Sequence, residues 1–366
     1  FGPWRRPPPV SEAVVKFRIP SSIAILAGLV AGSAGIATSA VVATPVLAQE
    51  QQFADLGSCG LESGADLLDC RVGYRTIGAL SEARDNAVLI PTWYGGTTAN
   101  WVDLQEALLG EDHDYYVILV DALANGVSVS PSNSEAQPGD AFPKITTRDM
   151  VRSQHRLVTE VLDLDGLHAV MGVSMGGMQT FEWSVLYPGF AKKLVPIAGS
   201  PKLGGHDVAL WQAYKRLLDW SADCACAEAQ ELLTAIMLLN STTSDQDGAD
   251  LPGDTVTSRV EGASGSIDRG AALNLIRQAD AMIATDVTHA FDGEWAGAAE
   301  AVQAQMLIIA ESSDHVVTPR TGMTFAEHLG DKATPILFES GCGHGLPGCE
   351  MFRVGALIRD FLRREP

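Results

Sequence analysis

The stretch that most constrains this chain is Leu167-His168-Ala169-Val170-Met171-Gly172-Val173-Ser174-Met175-Gly176-Gly177-Met178. An apolar run ends in Gly-x-Ser-x-Gly, and a helical pattern follows to about Tyr187, which is the strand–turn–helix context of a nucleophile elbow. Such a turn must reverse a strand into a helix around one serine whose backbone is strained. Gly172 and Gly176 flank it because a Cβ at either place would collide across the turn. The Ser174 hydroxyl is thereby presented outward. The Met175 N–H falls at a helix N-terminus, where it meets developing negative charge. A chance glycine-rich turn would account for the pentapeptide alone, but not for its placement between strand and helix.

Strands and helices alternate around this point. Apolar segments at residues 86–91, 115–121, 193–198, 306–310 and 335–339 read as buried strands, with helical spacing at 101–109, 147–162 and 351–363. The expected fold is therefore α/β, a mostly parallel, doubly wound sheet. Residues 53–75 read as two extended segments around a turn-rich interval at 62–66, a hairpin. After Pro201 the alternation stops for about a hundred residues, helical by pattern except for a Ser/Thr/Asp/Gly-rich interruption at 241–265. That is too long for a crossover and is expected to form a helical cap over the strand ends. The resulting division is a core of 49–202 and 303–366, with a cap at 203–302.

The N-terminus stands apart. Lys16 and Arg18 precede an uncharged, Ala/Gly/Val/Ile-rich run over residues 19–48, which ends in Val46-Leu47-Ala48 before polar Gln49-Glu50. Residues 1–48 read as a secretory signal peptide cleaved after Ala48, giving a periplasmic or secreted protein. A retained membrane anchor is the rival reading, since the run is long enough to span a bilayer. Six cysteines, at 59, 70, 224, 226, 342 and 349, follow it, and an even number in an exported chain suggests disulfides. Six allow 15 pairings. Proximity favours Cys59–Cys70 and Cys342–Cys349, leaving Cys224 and Cys226 for each other or unpaired. A formal charge of −20 argues against nucleic acid as partner, because phosphate binding needs clustered Lys and Arg.

A serine hydroxyl needs a general base, and the base needs an orienting carboxylate. In this architecture the order is serine, acid, histidine, each after a strand. The loop after 306–310 carries Asp314, with Glu311 as rival acid; the loop after 335–339 carries His344 between two glycines. His315 lies on the acid's own loop and is poorly placed as base. Cys342 and Cys349 around His344 lack zinc-site spacing, and a disulfide bracing the histidine loop fits better. The second oxyanion donor is expected after the strand at 86–91, from the Trp93 N–H, with Tyr94 as alternative. No metal or bound organic cofactor is required by this chemistry.

With these pieces placed, the chain resembles the homoserine O-acetyltransferase family of the α/β-hydrolase superfamily. The resemblance rests on Pro91-Thr92-Trp93-Tyr94-Gly95-Gly96-Thr97, Asp121-Ala122-Leu123-Ala124-Asn125-Gly126, Thr147-Arg148-Asp149-Met150-Val151 and Gly172 to Gln179, with Glu182-Trp183 and Tyr187-Pro188. It implies Ser174 as nucleophile, Asp314 as orienting acid and His344 as base, with an acetyl group passing from acetyl-CoA to a hydroxyl acceptor. The departures are specific: Gly126-Val127-Ser128-Val129-Ser130-Pro131 where transferases carry a Gly-Ser-Thr-Gly-Pro-like segment, and Gly345-Leu346-Pro347 where they carry Asp-Ala-Phe. Lys215 and Arg216 only approximately match the cap arginine that holds the substrate carboxylate. The chain looks more like the esterase-like branch, which implies a serine hydrolase of small carboxylic esters working through an acyl-enzyme. Acetyl-CoA is then a co-substrate only under the transferase alternative. The family also implies a homodimer through the cap; the apolar N-terminal run makes a membrane a partner only if that segment is retained.

Overall fold

The computed structural model describes residues 50–224, 226–244, 253–262 and 267–364; the candidate signal segment with its cleavage point, and much of the 241–265 stretch, lie outside these. The first strands are β1 (Gln52–Asp55), β2 (Cys59–Gly60), β3 (Asp66–Leu67) and β4 (Arg71–Ile77). They form two nested antiparallel ladders, β1 with β4 and β2 with β3, and the Cys59–Cys70 disulfide joins them. The expected hairpin is thus present, with the turn at its inner ladder. Then come β5 (Ala87–Pro91), α1 (Thr98–Leu109), β6 (Tyr116–Val120), α2 (Thr147–Arg156), β7 (Leu167–Val173), α3 (Met175–Leu186) and β8 (Ala191–Ile197). The helix expected over 147–162 is α-helical only to Arg156 and continues as a π-helical turn over Leu157–Val161.

Between β8 and the next strand lie α4 (Gly205–Cys224), α5 (Ala227–Ser241), α6 (Gly253–Gly262), α7 (Arg269–Ile283) and α8 (Trp295–Ala301). Helix α6 falls inside the stretch expected to be an interruption. Its Thr- and Ser-containing sequence has weak intrinsic helicity and no buried side chain, and it lies along α5. The chain closes with β9 (Gln305–Glu311), α9 (Arg320–Leu329), β10 (Ala333–Phe338), the single turn α10 (Leu346–Cys349) and α11 (Met351–Arg363).

The main sheet has eight strands in the order β1-β4-β6-β5-β7-β8-β9-β10. From β6 to β10 every pairing is parallel, and β4 joins β6 antiparallel. Period-two alternation sends neighbouring side chains to opposite faces. Leu89, Ile118, Val170 and Met306 enter one buried cluster with α2, α3 and the inserted helices. Val88, Ile90, Leu119, Met171 and Ile309 enter the other, beneath α1 and α11. Because β5 lies between β6 and β7, the chain turns to opposite sides after it. The carboxyl ends of β5 and β7 therefore open at a switch point, the usual place for a site in such a sheet.

Candidate active site

Loops leaving the carboxyl ends of β5, β7, β9 and β10 meet at this switch point. Ser174 has φ 57° and ψ −120°, a conformation an L-residue adopts only when its surroundings impose it. They do. A Cβ on Gly172 would lie 2.3 Å from the Gly176 carbonyl oxygen, and one on Gly176 would lie 2.6 Å from that of Pro91. The Ser174 N–H is held by Ile197 O at 2.9 Å, so strand β8 fixes the turn from the far side.

Asp314 is 2% exposed. Its Oδ1 accepts the Val316 and Val317 N–H groups at 2.9 and 3.0 Å, which leaves Oδ2 to face His344 Nδ1 at 2.7 Å. His344 Nε2 lies 2.9 Å from Ser174 Oγ. Residues 174, 314 and 344 therefore stand in one hydrogen-bonded line. The rival acid is engaged elsewhere. Glu311 accepts from Ser313, and from the Ser340 N–H and hydroxyl, lacing the β9 loop to the β10 loop. Burial pushes its carboxyl up, but those hydrogen bonds outweigh it and hold it below the usual range. His315 turns away, edge-on to His206 with ring centroids 6.3 Å apart.

The histidine loop is braced as expected. Cys342–Cys349 closes it, and Gly343–Gly345 forms a short helical turn with the Gly345 N–H on Cys342 O at 3.1 Å. Cys224 and Cys226 also pair with each other, so among the described residues no cysteine is free. No group of three or more His, Cys, Asp or Glu residues suited to a metal occurs among the described residues.

Trp93 and Tyr94 follow β5 directly. The Thr92 N–H is committed to Val120 O, the Gly95 N–H to Gln278 Oε1 and the Gly96 N–H to Trp93 O. Among the described residues no acceptor takes the N–H of Trp93, Tyr94 or Met175. Met175 is the first residue of α3, so its N–H belongs to the helix's positive end. A cavity of about 430 Å³ opens over Ser174 and His344, walled by Trp93, Tyr94, Trp211, Tyr214 and Val316, with no Lys or Arg in its lining among the described residues. Tyr94 and Trp211 meet edge-to-face at 4.7 Å, and Trp211 and Tyr214 do so at 5.2 Å. A larger groove of about 580 Å³ runs along β10 and α11, away from the serine. Lys215 does not reach the site: it is ion-paired with Asp280 and, with Arg216, lines a separate cavity.

Sequence reading missed the groups that hold these loops. Asp207 at the start of α4 accepts from the Thr318 N–H and hydroxyl, and Gln278 on α7 spans Gly95 N–H and Leu123 O. Nothing local in the sequence marks either residue, because their partners lie far away along the chain.

Residues 86–344 match the family model described as alpha/beta hydrolase fold. A probable esterase of Corynebacterium glutamicum is 36% identical over 175 residues, which are 46% of this chain and 49% of that protein. A homoserine O-acetyltransferase of Nostoc punctiforme is 37% identical over 168 residues, 43% of this chain and 47% of that protein. The matched part of the chain spans about half the length of these curated relatives. The crystal structure of an acetylester hydrolase from Corynebacterium glutamicum superposes with a TM-score of 0.74 at 25% identity, covering 86% of this chain and 96% of that one. By the family model, with the parallel sheet and elbow just described, this chain belongs to the alpha/beta hydrolase fold family.

Proposed function

We propose that this protein hydrolyses small carboxylic esters through an acyl-enzyme on Ser174. The observation that carries the reading is the Ser174–His344–Asp314 line opening into an apolar cavity whose described lining has no Lys or Arg. His344 Nε2 takes the Ser174 proton as Oγ attacks the ester carbonyl, and Asp314 Oδ2 holds the ring's Nδ1–H and balances the imidazolium. The oxyanion is met by the Met175 and Trp93 N–H groups, neither of which has a competing acceptor among the described residues. His344 then protonates the leaving alcohol. Water, activated by the same nitrogen, attacks the acyl-enzyme and releases the acid. The aromatic wall of Tyr94, Trp211 and Tyr214 leaves room for a short acyl group, in keeping with the acetylester hydrolase among the structural relatives.

Transfer of an acetyl group from acetyl-CoA to homoserine shares the first half-reaction, and the Nostoc relative favours it. It needs a cation for the amino acid's carboxylate, and Lys215 is spent on Asp280. Three disulfides support a protein that works after export, where acetyl-CoA is not supplied. The test is p-nitrophenyl acetate turnover with and without homoserine. Acetate as sole product in both supports hydrolysis. Acetyl-CoA consumption that requires homoserine would replace it with transfer.

A further inference from the structure

One buried side chain touches both sides of the proposed oxyanion site. Gln179, fully buried on α3, uses its Nε2 to donate to Thr92 O at 3.1 Å and to Met175 O at 3.0 Å. The Thr92 carbonyl belongs to the peptide that carries the Trp93 N–H. A trans peptide is planar, with C=O and N–H pointing in opposite directions, so holding the oxygen aims the hydrogen. On its other side Thr92 is anchored separately from Gln179. Its N–H is on Val120 O at 3.0 Å and its hydroxyl accepts the Ala122 N–H at 3.0 Å.

The orientation of the Gln179 amide is itself decided by chemistry. An amide can flip and exchange donor for acceptor, unless a neighbour of fixed character forbids it. The indole N–H of Trp183 can only donate, and it donates to Gln154 Oε1 at 2.8 Å. Gln154 must then present its Nε2 to Gln179 Oε1, at 2.6 Å. Gln179 is left with its Nε2 toward the two carbonyls. All three side chains are buried, so water does not compete for these bonds.

We propose that Gln179 is a positioning residue for the oxyanion, locked by the Trp183–Gln154 relay and acting through the Thr92–Trp93 peptide. The inference rests on the esterase reading above. Tyr94 is the competing donor: its own peptide carbonyl, Trp93 O, is held within the turn by the Gly96 N–H at 3.0 Å and is independent of Gln179.

The test is Gln179→Met, which keeps length and volume but cannot donate, assayed with p-nitrophenyl acetate per active site counted from the burst of p-nitrophenol. Removing one oxyanion donor costs about 10²–10³ in kcat, so misdirecting one is expected to cost about 10- to 100-fold, with KM little changed. Affinity for a trifluoromethyl ketone, which binds as an oxyanion, should fall by a similar factor, while that for the parent methyl ketone holds. Trp183→Phe removes the anchor of the relay without touching the Gln179 contacts, and should lower kcat in the same direction by less. Wild-type kcat per active site in both variants would overturn the proposal, as would a loss confined to KM or to melting temperature. Failure of the esterase reading is separate: it would appear as an inert wild type, or as Ser174→Ala with full activity.

Discussion

The half of the site carried by strand ends and the half carried by the inserted helices are held by different physics. Ser174, Asp314 and His344 sit on short loops whose backbones are pinned by buried hydrogen bonds, steric closure and a disulfide. The Trp211 and Tyr214 wall on α4 is held mainly by edge-to-face aromatic contacts and apolar burial, with long polar ties from Trp211 Nε1 to Val316 O at 3.3 Å and from the Tyr214 hydroxyl to Ile236 O at 3.4 Å, and with Asp207 at the helix start. Proton transfer tolerates little displacement, so directional bonds fix the first half. Substrate fit is a matter of shape and desolvation, which non-directional packing supplies.

Substitutions on the strand-end half should therefore act on kcat, and those on the helical half on substrate choice. Ser174→Ala should have the largest effect, lowering kcat by several orders of magnitude with folding intact. Asp314→Asn should follow, at about 10⁴-fold in kcat, because an amide cannot hold the imidazole in the working tautomer or balance its charge. Comparable kcat for Asp314→Asn and wild type, measured with p-nitrophenyl acetate at pH 7, would remove the acid from the line.

Much of the first half was legible in the sequence because each of its parts is a stereochemical necessity. An elbow needs Gly172 and Gly176, and the order serine, acid, histidine follows from the order of strands. Glu311 and Asp314 were separable only by loop position; the structure separates them by hydrogen bonding. The second half was legible only as a length of helical pattern. Its working contacts, such as Gln278 with Gly95, join residues 183 positions apart, and helix α6 has weak propensity and no buried side chain to mark it in the sequence.

The two distal disulfides sharpen the same contrast. Cys342–Cys349 closes the loop that carries His344, the proposed base, whereas Cys224–Cys226 lies at the end of α4, on the helical half. Cys342→Ala with Cys349→Ala should lower thermal stability by about 2–3 kcal/mol from loop entropy and lower kcat severalfold as the base loosens. Cys224→Ala with Cys226→Ala should leave kcat unchanged. Equal kcat in both double variants would show that the brace does not serve the histidine. On the wall itself, Trp211→Ala should leave acetate turnover within a few-fold of wild type and raise the hexanoate-to-acetate ratio of kcat/KM by about tenfold, the scale that one or two methylenes carry in an apolar pocket.

The smallest expected effect on activity comes from the seam between the halves, and it should be visible only in stability. Arg148 on α2 forms a two-pronged pair with Glu62 at 2.6 and 2.7 Å and a single contact to Glu182 Oε1 at 3.1 Å. It also reaches Ala284 O and Asp286 O beyond α7, both at 3.4 Å. One guanidinium thus faces two carboxylates. Burial pushes Glu62 up, but the Arg148 bonds outweigh that and hold it below its usual range. Glu182 is fully buried, its Oε2 has no hydrogen-bond partner among the described residues, and burial pushes its carboxyl up to about 7 despite Arg148. An acid raised on folding binds more protons in the native state than in the unfolded chain between about pH 4.5 and 7, so stability falls as pH rises through that window. The cost above pH 7 is on the order of 3 kcal/mol. Glu182→Gln mimics the protonated form and keeps the acceptor for Arg148 and Thr147. It should match wild type at pH 5, exceed it in thermal stability at pH 8, and leave kcat for p-nitrophenyl acetate unchanged at both. Parallel melting curves for the two proteins from pH 5 to 8 would mean that Glu182 stays ionised across that range and that the seam carries no pH-dependent cost.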